Sequence, residues 1–408
     1  MAEAQPAILL PGTLELSHAL AARGVPVVAV AQGRDIVLRS STSVDRALRA
    51  PDTWDGAFET WFNSAPLPRH GALLPGNDDA VWWLAKRGLG GVPPFAAVRD
   101  ALVKFRAYER CMEAGLEVPQ TWLAEPGSPL PDGPFPLVVK PQTRVGLRHW
   151  TRGRLVRDAA ELAAAVEWFR GEVTYQRHVL ADDPTLGQPI IQEYVVRPRR
   201  EVYHVVGYRS RAGESVVAAH RKLLQYPLRF GSGLCFESAA VNAELAAGLE
   251  RMFAAIGFHG IFEAEFVERD GRPLLIDLNP RSYNGMSLEV RRGYNLPWLH
   301  YLDTIGEADV LSAEMDRARG LTAKPMAWRD GVRFWTMLAG QGLSGGMSPR
   351  KVASWVRWSR RHRGTMVDAH FARGDMRAGL AAVGQHVASA ALDPRAFVGT
   401  YVRRGLDR

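Results

Sequence analysis

The sequence has little of three things. Among its 408 residues there are two cysteines, Cys111 and Cys235, too few for the disulfide framework that staples small secreted domains. Lysine is scarce as well: it occurs only at positions 86, 104, 140, 222, 324 and 351, so most of the 51 cationic side chains are arginine. In a chain with that bias, a lysine marks a place where a compact ammonium group is wanted rather than a planar guanidinium. Long apolar runs are also missing. The best of them, at 7–10 and 378–392, are too short or too interrupted to span a bilayer, which takes about 20 apolar residues. No basic segment followed by an apolar stretch and a small-residue cleavage site opens the chain, so the expected location is the cytoplasm.

What is present is ordinary globular composition, 47% hydrophobic and 23% charged, with enough length for roughly two to four folding units. A single small binding module is excluded. The formal charge of +8 raises the question of nucleic acid, but the excess gathers at one end. Residues 351–363 read KVASWVRWSRRHR, and Arg403 and Arg404 add to them. Nucleic acid is therefore not an expected partner. Trp355 and Trp358 form an aromatic stripe on a basic helix, expected to pack on its own chain, with an anionic membrane touching 350–363 as the alternative.

The first 99 residues read as a small open α/β lobe. An apolar strand at 6–10 is followed by Pro11-Gly12, an amphipathic helix at 14–23 and a strand at 25–31; the theme returns as 71–77 followed by a helix at 78–86. From Asp100 to Gly115 the pattern is helical. A strand at 137–140 ends in Lys140, and a helix follows at 158–169. Strands then dominate, at 189–196, 201–210 and 215–221. An amphipathic helix at 243–256 ends at Gly257, a C-cap residue. Strands at 260–269 and 272–278 are joined by Asp270-Gly271, a strong hairpin signal. Beyond Gly306 the chain reads as helical and irregular.

The hairpin carries the chemistry. Side chains alternate along a strand, so Glu263 and Glu265 share one face, and Asp277 and Asn279 share one face of the next strand. Hard oxygen donors on neighbouring strands, followed at once by Arg281, are what magnesium on a polyphosphate requires. A solvated face of ordinary acids is the bland alternative, and it does not account for Asn-Pro-Arg closing an apolar strand. Lys140 ends a buried strand, where an unpaired ammonium is costly and a polyanion would compensate it. Lys104 opens a helix. Lys222 precedes QYPLRFGSG at 225–233, whose glycines allow close approach of a ligand.

Taken together, Lys104, Lys140, IIQEYV at 190–195, Glu265 and IDLNPR at 276–281 resemble the ATP-grasp superfamily over about residues 1–310. The stretches RKLLQYP at 221–227, FGSG at 230–233 and FES at 236–238 are similar to carboxylate–amine ligases related to D-aspartate ligase and the carbamoyl-phosphate synthase large subunit. The resemblance implies an α/β and α+β fold: a pre-ATP-grasp lobe at 1–99, ATP-grasp subdomains at 100–189 and 190–310, and a helical C-terminal extension at 311–408. It implies roles too. Gln192, Glu193, Tyr194 and Val195 would meet adenine, Glu201 the ribose, and Lys104 with Lys140 the α- and β-phosphates. Glu265, Asp277 and Asn279 would hold magnesium, or manganese, while Arg281 and Lys222 steady the transferred phosphoryl group.

The implied reaction is ADP-forming ligation, in which a carboxylate becomes an acyl phosphate and an amine or similar nucleophile displaces the phosphate. Another ATP-grasp phosphotransferase or carboxylating enzyme, or a nucleotide-binding regulator without turnover, is the alternative. Small-molecule carboxylate and amine substrates are the expected partners, and assembly into a homo-oligomer stays open. Arg221, Ser232, Ser282, Tyr283, Asn284 and Arg291 flank the metal residues in sequence and are the candidate substrate contacts. Two departures stand out: Asp277 replaces the usual Glu, and the loop 141–148 has a single glycine, which shifts phosphate binding toward Arg144 or Arg148. Cys235 reads as a buried structural thiol, and His204, His220 and His259 as strand residues without metal-ligand spacing.

Overall fold

The computed structural model describes residues 5–33, 35–147, 153–196, 201–227, 231–322 and 324–403. Arg148, Phe230 and Arg404, singled out above, lie outside the described residues. The N-terminal lobe is a parallel sheet of β1 (Ala7–Leu10), β2 (Val27–Ala31), β3 (Arg46–Arg49) and β4 (Ala72–Pro75), in the order β3-β2-β1-β4. Strands β1 and β2 are wholly buried because both faces are covered, as a parallel sheet requires. Ile8, Leu10, Val28 and Val30 meet Trp54, Phe58 and Trp83 on one side. Ala7, Leu9 and Val27 meet Leu16, Leu20, Leu296 and Leu299 on the other. Asn77 caps the helix Asp78–Arg87, accepting from the Ala80 N–H, and Gly88 ends it with φ of 62°.

A second sheet holds β5 (Thr121–Leu123), β6 (Leu137–Lys140), β7 (Arg154–Val156) and β8 (Ile190–Glu193), in the order β5-β8-β6-β7. The helix Ala159–Glu172 covers one of its faces through Leu162, Val166 and Phe169. The helix expected over 100–115 is two, Phe95–Leu102 and Lys104–Glu113. The break falls at Val103 because the Lys104 N–H goes to the Gln142 carbonyl at 2.8 Å instead of continuing the helical ladder.

The third sheet has seven strands: β9 (Val202–Arg209), β10 (Ser215–Tyr226), β11 (Ser232–Ala239), β12 (Gly260–Arg269), β13 (Arg272–Asn279), β14 (Ala327–Arg329) and β15 (Met366–Asp368), in the order β13-β12-β9-β10-β11-β14-β15. One face is apolar. Phe262, Ala264 and Phe266 pack on Leu249, Met252 and Phe253 of the helix Ala243–Ile256 and on Tyr108 and Cys111 of the helix Lys104–Glu113. On the opposite face Ile261, Val206, Tyr208, Val216 and Ala218 pack toward the N-terminal lobe, and the remainder carries polar side chains. The C-terminal segment is largely helical and also lends β14 and β15 to this sheet, each three residues long and too short for a period to show in sequence. In the helix Pro349–Arg361, Trp355 is buried and Trp355 and Trp358 pack on Phe334, while Arg357, Arg360 and Arg361 are exposed. Among the described residues, no helix is long and apolar enough to cross a membrane.

Candidate active site

The polar face of the third sheet and the second sheet enclose a cleft between them. Its wall is set by register. Glu265 lies opposite Asp277, and Glu263 opposite Asn279, across β12 and β13; Glu265 also faces His204, and His204 faces His220. Period-two alternation therefore brings Asp277, Glu265, His204 and His220 into one row across four strands, with Lys222 two residues beyond His220. From the second sheet, Lys140, Gln192, Glu193, Tyr194 and Val195 complete the cleft.

The cleft has two chemical ends. Val138, Val195, Val202, Val267 and Ile276 make an apolar slot, and Lys104, Lys140, Lys222, Glu263, Glu265, Asp277, Asn279 and Arg281 make a charged one. At the charged end every group is engaged. Lys104 pairs with Asp277, and Lys222 Nζ is 2.6 Å from Glu265 Oε2. Lys140 donates to Tyr108 Oη at 3.0 Å, Gln192 Oε1 at 2.9 Å and the Ile276 carbonyl at 3.3 Å. Arg281 Nε lies 2.5 Å from Asp78 Oδ1, and its Nη2 donates to Asn279 Oδ1 at 3.1 Å. Asn279 Nδ2 in turn donates to Glu263 Oε2 at 3.0 Å.

Burial and neighbours shift the acid–base behaviour of these groups. Lys140 is brought down to about 8, because burial disfavours its ammonium more than Asp277 and Glu265 favour it. Burial, with Glu265 alongside, pushes Glu263 up to about 8. Burial alone would raise Glu265 and Asp277 too, but Lys222 and His204 hold the first below the usual carboxylate range and Lys104, Arg144 and Lys140 hold the second there. His204 is lowered to about 4 by burial.

Glu265, Asp277 and Asn279 offer hard oxygens from adjacent strands, and two of them already draw an ammonium group each. That donor set fits a hard divalent cation such as magnesium. Gly231 fits the same picture of a tight wall. A Cβ there would lie 2.1 Å from the Pro227 carbonyl oxygen and 2.4 Å from the Tyr226 nitrogen, so only glycine allows this turn beside the cleft.

Of the residues singled out in sequence, Lys104, Lys140, Gln192, Glu193, Tyr194, Val195, Lys222, Ser232, Glu265, Asp277, Asn279, Asn284 and Arg281 line this one cleft. Five do not. Arg221 alternates to the face opposite Lys222, where it lies over the Tyr203 ring at 5.5 Å in a separate groove that Glu201 also lines. Ser282 is buried and donates to the Gly76 carbonyl at 3.2 Å; Tyr283 is buried and donates to Glu289 at 3.1 Å. Arg291 is exposed on the helix Ser287–Arg292. Cys235 sits within β11 and packs toward Phe334 and Met337, away from the cleft.

Sequence reasoning passed over Tyr108, Asp78 and His204. Tyr108 supports Lys140, and Asp78 anchors Arg281 from 203 positions away, a separation that leaves no local signal. His204 did carry a signal, since it shares the strand period that places the acids.

A scan against protein-family models and a search of curated proteins find no match. Solved structures do match. Pyruvate carboxylase from Rhizobium etli superposes with a TM-score of 0.55 at 18% identity over 74% of this chain, which spans 28% of that longer chain. Biotin carboxylase from Campylobacter jejuni, in its beta-gamma-ATP complex, gives 0.56 at 17% identity over 75% of this chain and 72% of its own. L-amino acid ligase from Bacillus licheniformis gives 0.55 at 15% identity over 75% of both chains. With the three sheets and the cleft between the second and third, the architecture is the ATP-grasp fold.

Proposed function

We propose that the protein is an ATP-dependent ligase that activates a carboxylate as an acyl phosphate and joins it to an amine, releasing ADP and phosphate. The observation that carries this is the pairing of an apolar slot with a charged end in one cleft, lysines 104, 140 and 222 facing the oxygens of Glu265, Asp277 and Asn279. Adenine suits the slot against Tyr194 and Val195, and the phosphates suit the ammonium groups. Glu265, Asp277 and Asn279 would hold magnesium, which neutralises phosphate charge when bound. Lys104 and Lys140 then orient the α- and β-phosphates. Arg281 and Lys222 offset the charge that builds as the carboxylate oxygen bonds to the γ-phosphorus and the bond to ADP breaks. Ser232 and Asn284 stand beside that end, where the amine attacks the acyl carbon and phosphate leaves. The fold shared with a biotin carboxylase and an L-amino acid ligase supports this reading.

The test is ADP and phosphate release by the purified protein with magnesium, ATP, pooled carboxylates and pooled amines, products read by mass spectrometry. The expected product mass is acid plus amine minus water. Release driven by bicarbonate alone would move the reading to a carboxylating enzyme. ATP binding without turnover in any pool would sink the ligase reading and leave the nucleotide-binding regulator.

A further inference from the structure

The face of the third sheet that carries Glu265 also carries a cluster that the chemistry above does not use. His204 on β9 and His220 on β10 are cross-strand partners with ring centroids 4.6 Å apart, and Glu263 on β12 lies beside them. The three are 1%, 0% and 5% exposed. Glu263 Oε1 is 2.9 Å from His204 Nδ1 and 3.9 Å from His220 Nε2. One nitrogen or oxygen atom from each residue lies within 4.8 Å of the others. Nε2 of both rings is buried without a hydrogen-bond partner, and leaving such a group unsatisfied is costly.

The surroundings fix these groups in place. His220 Nδ1 is 3.0 Å from Glu289 Oε1, and Glu289 is itself fully buried, bonded by the Tyr283 hydroxyl at 3.1 Å and lying 3.5 Å from Arg292. A carboxylate that holds one imidazole nitrogen and turns the other outward is the support that metal-ligating histidines use. Glu263 is held likewise: Asn279 occupies Oε2, and Oε1 faces the two rings.

We propose that His204, His220 and Glu263 bind a divalent transition cation of the zinc type beside the oxygens of Glu265, Asp277 and Asn279, His204 Nε2 lying 4.0 Å from Glu265 Oε2. Two imidazoles and one carboxylate suit zinc or cobalt, whereas magnesium selects oxygen ligands and keeps its waters. Three protein ligands leave a further coordination position. His204 and Glu263 line the cleft, so that position opens toward the space where the carboxylate substrate is expected. The proposal goes beyond the ligase reading and stands or falls apart from it.

Cobalt(II), titrated into the full chain in millimolar magnesium, is the probe. One equivalent should bind with the visible absorption of a low-coordinate nitrogen and oxygen site. His204→Asn and His220→Asn should each weaken binding by more than the roughly 10–100-fold that loss of an outer partner costs, while Asp277→Asn leaves it within about twofold. Zinc should also shift two imidazole nitrogen resonances of the unaltered protein, a readout that holds even if a histidine variant misfolds. Absence of the cobalt band, its persistence in both histidine variants, its displacement by magnesium, or unmoved imidazole resonances would overturn the site. Cobalt binding does not depend on ATP turnover, so a failure here leaves the ligase reading standing, and failed turnover leaves this result standing.

Discussion

The parallel sheet of the N-terminal lobe and the seven-stranded sheet solve the same packing problem in opposite ways. Strands β1 and β2 are covered on both sides, so each of their residues is apolar and buried. Strand β12 is covered along its length on one face and only at its start on the other: Phe262, Ala264 and Phe266 enter one core and Ile261 another, while Glu263 and Glu265 alternate into the cleft. The part of a sheet face that lines a cleft can carry charge without a cost in core packing. Packing and charge are thus assigned to different parts of the seven-stranded sheet, whereas β1 and β2 carry packing alone, and substitutions should separate the two.

The largest expected effect is on turnover. On the proposed function, Glu265→Gln or Asn279→Ala should lower ATP turnover by about a thousandfold or more, equivalent to ~4 kcal/mol of barrier, because each would remove a cation ligand and no core volume. Steady-state kinetics alongside circular dichroism checks this, and near-normal turnover in both variants would end the site assignment. Next in size is Leu9→Ala in β1. Leu9 is fully buried, and the change should cost about 2–5 kcal/mol of stability by denaturant titration.

A pH series sharpens the comparison at intermediate size. Lys140 faces Asp277, Glu265, Arg144 and Tyr108, and burial brings it down to about 8. On the proposed function its ammonium is the form that would meet phosphate, so nucleotide affinity should be full below pH 8 and fall by up to about tenfold per pH unit above it. Calorimetry at several pH values reads this, and Lys140→Met should flatten the profile. A profile equally steep in that variant would assign the titration to another group. The smallest effect is expected outside the cleft: Arg291→Ala should leave KM within about twofold of the parent, and a larger change would extend the site onto the helix Ser287–Arg292.

Much of the site was legible because a strand has a two-residue period. That period alone set Glu263 with Glu265 and Asp277 with Asn279, and the observed register agrees. The same period sends Arg221 to the face opposite Lys222, yet nearness in sequence had suggested Arg221 as a substrate contact. The meeting of the histidines with Glu263 was not legible for a related reason. Metal-ligand spacing is sought along the chain, whereas His204, His220 and Glu263 meet across strands that are neighbours only in space.

The sequence by itself determined the apolar strands of the N-terminal lobe, the hairpin at Asp270-Gly271 and the alternation that gathers the acids, because each depends on the local period of side chains. Tertiary structure alone decided that Asp78 of the first lobe anchors Arg281, that Tyr108 supports Lys140, and that β14 and β15 extend the third sheet. These rest on pairings between distant segments, which only the closed packing of the three sheets selects.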